Sequence, residues 1–319
     1  MGYLKNELTG FVPVEQATEI IKMVTRGSSV LRMAKVEEMK HEKKKFNVLT
    51  DGPGAYWVGE GERIKTSGAT WIHPEIEAKK LAVIIPVTKE KLEDTTISVF
   101  EELKPEIAEA FYRAIDAACI FGTNSPFKTN IMNAIDSKHM VVIDNTNIDI
   151  AISDAMSIIE ENGYDPSGFI GRIGVKNMLR KLRDANGAPA YVNGTTGGEL
   201  YGQPIEFVRN GAWDNKRADI ITGNFKYAVV GMRAGIINYE ILTEATLQGT
   251  LDSDGKPLSL AEQDMVAIKA TMRLGFLVVK DDAFAAFKNG VPTLGELTVE
   301  SVAGTTGNTV ITVSPKPIG

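Results

Sequence analysis

Glu60 and Glu62, one residue apart in GEGERIK, are the nearest approach to a catalytic pair in this chain, since paired carboxylates divide acid and base work and Lys65 stands close by as a nucleophile. Their setting argues otherwise. Residues 52–70 are rich in glycine, with Trp57 and Ile64 spaced among Glu60, Glu62, Arg63, Lys65 and Thr66, and Trp71 follows. That composition makes turns and edge strands, so the three groups read as solvated ribbon charges or ion pairs to another subunit. His41, His73 and His139 are scattered without metal-ligand spacing, and HEKKK at His41 is not a zinc-binding HExxH. The glycine-rich stretch 187–198 lacks the lysine and helix start that turn backbone amides into an anion site, and reads as a flexible loop. No nucleophile elbow, phosphate-cradling loop or dinucleotide fingerprint occurs, so no catalytic, cofactor or metal residue is assigned. Trp57 and Trp71 could stack a ligand, but aromatics equally anchor protein interfaces, and a ribbon has no other way to bury them.

The elements around these residues decide between those uses. Residues 52–95 read as a long two-stranded ribbon that enters a packed sheet at the apolar run Leu81 to Val87. Two strands alone do not offset their ordering entropy, so the ribbon needs a second surface, and another copy of this chain supplies one. Val14 to Thr25 carries Ala17, Ile20, Ile21 and Val24 at helical spacing. Ser29 to Lys45 is charged, with Glu37, Glu38 and Glu42 interleaving the lysines, and reads as a solvated or edge strand rather than a nucleic-acid patch. Ser98 to Phe121 is the strongest helix, with a stripe from Phe100 through Leu103, Ile107, Ala110, Phe111, Ala114 and Ala118, and with Glu106, Arg113 and Asp116 off that stripe. Pro105 kinks it or sits in a restarted first turn, and Gly122 ends it.

Further along, helices at 147–163 and 175–183 flank a strand at Phe169 to Ile173, an alternation that points to an α/β layer. Residues 186–204 read as a long loop. Strands follow at 205–208, 219–222, 227–232 and 236–242, then a linker-like DSDGKP at 252–257 and a long strand from Met265 to Lys280. Leu297 to Val302 and Thr309 to Val313 form a hairpin hung on the end.

The 319 residues, 43% hydrophobic, suffice for two compact domains, and 35 basic against 41 acidic side chains give a net charge of −6. A dedicated electrostatic nucleic-acid binder would be basic, so contact with nucleic acid is local or incidental. Cys119, the single cysteine, lies in an apolar helical pattern and reads as a small buried hydrophobe, suited to a reducing cytoplasm. The start of the chain lacks the features of a secretory signal, and no apolar run approaches the ~20 residues that span a bilayer, so a soluble protein without a membrane partner is expected.

Five segments in order, PGAYWVGEGERIKTSGATW, KKLAVIIPVTKEKLEDT, EELKPEIAEAFYRAID, YGQPIEFV with ITGNFKYAVVGMRAGIINYE, and SLAEQDMVAIKATMRLGFLVVKDDAFAAF, resemble the Hong Kong 97-type major capsid proteins of tailed bacteriophages. The resemblance spans residues 46–287. It implies an α+β capsid fold: an N-terminal arm (1–45), an extended E-loop hairpin (46–82), a peripheral domain with a long spine helix (83–139), an axial domain (140–255), a return strand to the peripheral domain (256–290), and outside the family pattern a C-terminal extension (291–319). It also implies a virion shell protein rather than an enzyme. Copies assembled in the host cytoplasm would form pentamers and hexamers with a scaffold protein and a portal, and would close an icosahedral shell over double-stranded DNA held without sequence-specific binding. In that frame Trp57, Glu60, Glu62, Arg63, Ile64, Lys65 and Trp71 are contacts to the neighbouring subunit. Lys65 is also the candidate donor for the covalent crosslink some members make, although no acceptor asparagine or assisting glutamate can be matched. The chain starts almost at the arm, which points to a separate or already removed scaffold. An encapsulin-like nanocompartment shares the shell fold and stands as the alternative.

Overall fold

The apolar periodicities resolve into two large sheets, of five and six strands, with helices packed against them and four two-stranded ladders beside them among the described residues. The computed structural model describes residues 14–51, 56–58, 60, 63, 66–90, 99–135, 138–143, 148–182, 198–233, 238–251, 255–290, 298–302 and 310–314. In order these form α1 (Val14–Gly27), α2 (Ser29–Met33), β1 (Lys35–Met39), β2 (Lys43–Lys45), β3 (Val48–Asp51), β4 (Thr70–Ile72), β5 (Glu75–Glu77), β6 (Lys79–Thr88), α3 (Val99–Phe121), α4 (Ile131–Ala134), β7 (Met140–Ile143), α5 (Ile148–Glu161), β8 (Gly168–Arg172), α6 (Val175–Lys181), β9 (Glu199–Leu200), β10 (Gln203–Val208), β11 (Ile220–Gly223), β12 (Ala228–Arg233), β13 (Asn238–Leu242), β14 (Thr246–Leu251), β15 (Pro257–Ser259), β16 (Met265–Val278), β17 (Phe284–Asn289), β18 (Thr298–Val302) and β19 (Val310–Ser314).

The first sheet is organised by β16, whose fourteen residues are long enough to serve three partners. One side pairs antiparallel with β6 over Met265–Leu274; β13 and β12 pair antiparallel with it in succession, and β1 adds in parallel to β12. Strand alternation turns Val266, Ile268, Ala270, Met272, Leu274 and Phe276 inward, and all are buried. The second sheet runs β7-β17-β11-β8-β10-β9. Ile170, Val208, Ile221 and Ala286 from it share one core with the inward face of β16 and with Ile107, Phe111, Ile115 and Cys119 of α3.

Sheet membership crosses the boundaries expected from the sequence. Strands β12 and β13, from the expected axial segment, complete the first sheet, while β17, from the expected return segment, sits inside the second between β7 and β11. The charged stretch after Ser29 is helical for its first five residues, because Ser28 caps α2 by accepting the Leu31 N–H at 3.1 Å. The supposed linker at 252–257 follows β14 and enters β15 at Pro257, and the two strands pair antiparallel; residues 252–254 lie outside the described residues. The predicted loop 186–204 ends in regular structure, the short antiparallel pair β9–β10 across a turn in which Tyr201 and Gly202 take φ of 51° and 75°. Residues 186–197 of that loop lie outside the described residues. The terminal hairpin is present as the antiparallel pair β18–β19.

Helix α3 runs through Pro105, which lies in its second turn rather than at a restart, with its ring on the exposed face. Its end is built as the sequence suggests. Gly122 adopts φ of 72°, the Gly122 and Thr123 amides donate back to Ala118 and Ala117, and Arg217 donates to the Phe121 carbonyl at 2.8 Å. The expected stripe needs one correction at each edge: Ala110 is exposed, and Asp116, expected off the stripe with the charged positions, is fully buried.

Asp116 is a joint. Its carboxylate accepts from Ser28 Oγ at 2.6 Å, from the amides of Ser29 and Val30 at 3.1 and 3.2 Å, and from Asn210 Nδ2 at 3.1 Å. One side chain thereby ties the α1–α2 corner, the long helix and the segment after β10. Burial raises its pKa, against the lowering effect of those four donors. A second buried carboxylate, Asp219, accepts from Arg172, from Lys288 Nζ at 3.2 Å and from the Asn289 amide at 2.7 Å, linking the ends of β8 and β17.

Candidate intersubunit surface

The ribbon starts earlier than its glycine-rich sequence suggests. Lys43, Lys44 and Lys45 of β2 pair with Glu77, Ile76 and Glu75 of β5, and Val48 and Leu49 of β3 pair with Ile72 and Trp71 of β4, so the described ladders occupy 43–51 and 70–77. Between and beside them, Phe46 N–H donates to the Pro74 carbonyl at 3.0 Å, Ala78 N–H to Glu42 at 2.8 Å, and His73 Nδ1 meets Asn47 Oδ1 at 2.9 Å.

The root of this ribbon is anchored in the body. Ile76 is buried with Met39, Ala78 and Leu277 where β5 crosses the first sheet. Two glycines make room for that crossing. A Cβ on Gly275 would lie 2.7 Å from the Glu77 carbonyl oxygen and 2.8 Å from Ile76, and one on Gly231 would lie 2.3 Å from the Met39 sulfur. Charges line the outside of the root: Lys44 and Glu37 at 2.5 Å, Lys79 and Glu77 at 2.5 Å, and Lys43 and Glu75 at 3.2 Å. The lysine hydrogen bonds hold the Glu37 and Glu77 carboxyls below their ordinary range, and Glu75 raises the Lys43 ammonium.

Beyond the root the described apolar side chains turn outward. Trp57 is fully exposed, and Tyr56, Val58, Leu49, Trp71 and Ile72 are also open to solvent. Leu49 and Trp71 are directly opposed across the ladder, so they form one apolar face. Of the residues singled out from the sequence, Trp57, Trp71, Glu60 and Arg63 are exposed on this ribbon. Glu62, Ile64 and Lys65 lie outside the described residues. Sequence reasoning missed Leu49, Tyr56 and Ile72, although VLTD after the lysine run carries a strand's β-branched and apolar signature.

His41 and His73 are exposed, and His139 sits apart, its backbone carbonyl accepting from Ala286 at 2.9 Å. Among the described residues no group of three His, Cys, Asp or Glu could hold a metal ion. Cys119 is buried in the core, and burial lifts its thiol well above its ordinary pKa, which keeps it protonated and unreactive. Among the described residues no helix is long and apolar enough to cross a membrane.

The body is thus packed around its own buried clusters, while the arm carries exposed aromatic side chains. The profile of the phage capsid family matches residues 9–289. The major capsid protein of Staphylococcus phage 80alpha is 37% identical over 285 residues, covering 89% of this chain and 84% of that protein. Solved structures from Microbacterium phage Oxtober96 (27% identity, TM-score 0.72, covering 83% of this chain and 91% of that one) and Mycobacterium phage Adephagia (25%, 0.72, 84% and 92%) share the fold. This chain belongs to the phage capsid family, a family of structural shell proteins with the Hong Kong 97-type α+β fold. Nothing in these relatives favours the nanocompartment alternative.

Proposed function

We propose that this chain is the major capsid protein that builds the head of a tailed phage, with the ribbon as the clasp between subunits. The observation that carries the reading is the pairing of a buried root at Ile76 with exposed Trp57, Trp71 and Leu49 on one arm. Solvent-facing aromatics on a narrow ribbon are stabilised by burial against a neighbour, at roughly 25 cal/mol per Å² of apolar surface covered. Trp57 and Trp71 anchor that contact, Ile64 extends it, and Glu60, Glu62, Arg63 and Lys65 make its polar rim. Copies join in pentamers and hexamers, one sequence serving both rings.

In this reading the first sheet with α3 forms the peripheral body and the second sheet the axial body, whose loops meet around the ring axis. Scaffold and portal guide closure in the host cytoplasm, the shell encloses double-stranded DNA without reading its sequence, and no bond-making step is assigned to the subunit. Lys65 is the residue to follow for a crosslink. A single monomer band from assembled particles on a denaturing gel excludes one.

Electron microscopy of the purified chain, alone and with its scaffold, tests the function. Uniform shells are expected from the wild type, and folded subunits without shells from Trp57→Ala and Ile64→Asp. Normal shells from both variants overturn the clasp.

A further inference from the structure

One cleft in the body is not absorbed by shell contacts along the ribbon. It has a volume of about 470 Å³ and opens where the end of α1, the α2 helix, α3, α6 and the segment after β10 meet. Arg26, Arg32, Lys176 and Arg209 line it, against only two carboxylates, Glu109 and Glu206. Arg32 and Glu206 are paired with each other at 2.7 Å. Lys176 sits 4.7 Å over the Phe207 ring, which holds its ammonium in place without neutralising it. Among the described residues Arg26 and Arg209 form no ion pair. The remaining charge is therefore three cations around Glu109, in a protein that is acidic as a whole.

The wall of this cleft is fixed. Asn210 lines it and is locked three ways: its amide donates to Asp116 at 3.1 Å, its side-chain oxygen accepts from Ala212 N–H at 3.0 Å, and its carbonyl accepts from Arg113 Nε at 2.5 Å. Arg26 and Arg209 each adjoin a residue of that network's neighbourhood, Arg26 through Gly27 to Ser28, and Arg209 directly to Asn210. Their backbones are held while their guanidiniums stay exposed. Forked donors on a rigid base suit a group with several acceptor oxygens and more than one negative charge. The volume falls in the roughly 300–1,000 Å³ range of small-ligand sites, ample for a phosphate with its neighbouring sugar.

We infer that this cleft binds phosphate groups, with the phosphodiester backbone of enclosed nucleic acid as their source. The choice of source rests on the capsid reading; the chemistry of the cleft does not. A chain of net charge −6 repels a polyanion over most of its surface, so contact concentrates where cations exceed acids locally. Glu109 opposes the ligand and sets how weakly it is held, which suits nucleic acid that must later leave.

The test uses unassembled full-length subunits, a fluorescent 20-base-pair duplex read by anisotropy, and inorganic phosphate read by thermal shift. Wild type should bind duplex with an affinity that falls with salt. Arg26→Gln with Arg209→Gln should weaken it about tenfold or more and reduce the slope of log K against log salt by about 1 to 2, since each phosphate contact contributes about 0.9. Glu109→Gln should tighten binding, a change of opposite sign that misfolding cannot mimic. Duplex binding unchanged in the double arginine variant overturns the inference, as does wild type that responds to neither ligand. Thermal stabilisation by phosphate without duplex binding overturns the nucleic-acid source. Shell formation, scored separately by microscopy, separates failure here from failure of the capsid reading.

Discussion

In the first sheet, β16 turns Met272, Leu274 and Phe276 onto the core it shares with α3 and hides them; in the ribbon, Leu49, Trp71, Ile72 and Trp57 are as apolar and stay in solvent. Both regions carry apolar side chains on paired strands, so pairing alone does not say whether a face is covered by the same chain. Thickness does. β16 lies between other strands and packs on α3, whereas the ribbon ladders are two strands wide. The passage from one regime to the other is abrupt, at Ile76, which is buried between Met39 and the Gly231 and Gly275 notches. The body thus fixes where the arm departs.

The largest expected effect breaks this contrast from the arm side. Trp57→Ala should abolish shells or raise the concentration needed for them by more than tenfold, because a central aromatic anchor contributes about 2 kcal/mol or more and the loss recurs at every subunit contact. Its unfolding midpoint in urea should stay within about 0.5 kcal/mol of wild type. Sedimentation velocity and microscopy read the first, circular dichroism the second; a destabilised monomer means Trp57 belongs to the body after all. Next in size, Asp116→Ala attacks the body. It leaves the Ser28 hydroxyl, the Ser29 and Val30 amides and the Asn210 amide group without their acceptor in a buried joint, a loss of about 3 kcal/mol or more. An unmoved urea midpoint would show that water replaces the carboxylate and that the joint is not structural.

How much of this could be read from residues alone follows from range. Local patterns sufficed for α1, α3 and its Gly122 stop, β16 and the terminal hairpin, since capping, helical stripes and strand alternation act within a few residues. The exposed tryptophans were also readable, because a glycine-rich segment leaves bulky side chains no core. What escaped depends on partners distant in sequence. Asp116 falls on a helix among glutamates and looks solvated until Ser28, 88 residues earlier, and Asn210, 94 residues later, arrive beside it. The membership of β17 in the second sheet is decided by its pairing with β11 and β7, not by anything in FAAFKN. Gly231 and Gly275 look like strand weaknesses until the ribbon root crosses them.

That crossing supplies the third prediction. Gly275→Ala places a methyl against the backbone of Glu77 and the Ile76 side chain, neither of which can swing away, and should cost about 1–3 kcal/mol by overpacking. Gly249→Ala, in a strand where an added Cβ meets nothing within 4 Å, should change stability by less than about 0.5 kcal/mol. Hydrogen exchange at 75–77 should speed in the first variant only. Equal effects of the two substitutions would mean the root is not seated as tightly as its contacts indicate.

The smallest effect compares the two regions by the sign of their pH dependence. Burial raises the Asp116 pKa above that of an unfolded aspartate, so the native body binds this proton more tightly. Its contribution to stability is fully present below pH about 3.8 and declines as pH rises through the folded value. At the ribbon root the lysine partners lower Glu37 and Glu77, so their contribution is present above the unfolded value of about 4.5 and is lost as pH falls. Both glutamates are far more exposed than Asp116, so the solvent-screened root pairs should give the shallower dependence. Urea unfolding of wild type and Asp116→Asn between pH 3 and 7 isolates the body's share: the wild-type advantage should be greatest at the acid end and shrink toward neutrality. The same comparison with Glu37→Gln should run the other way, its wild-type advantage growing with pH. If the Asp116 difference also grows with pH, the four hydrogen bonds outweigh desolvation, and the joint is held by a charged carboxylate as firmly as the arm's root is held by its lysines.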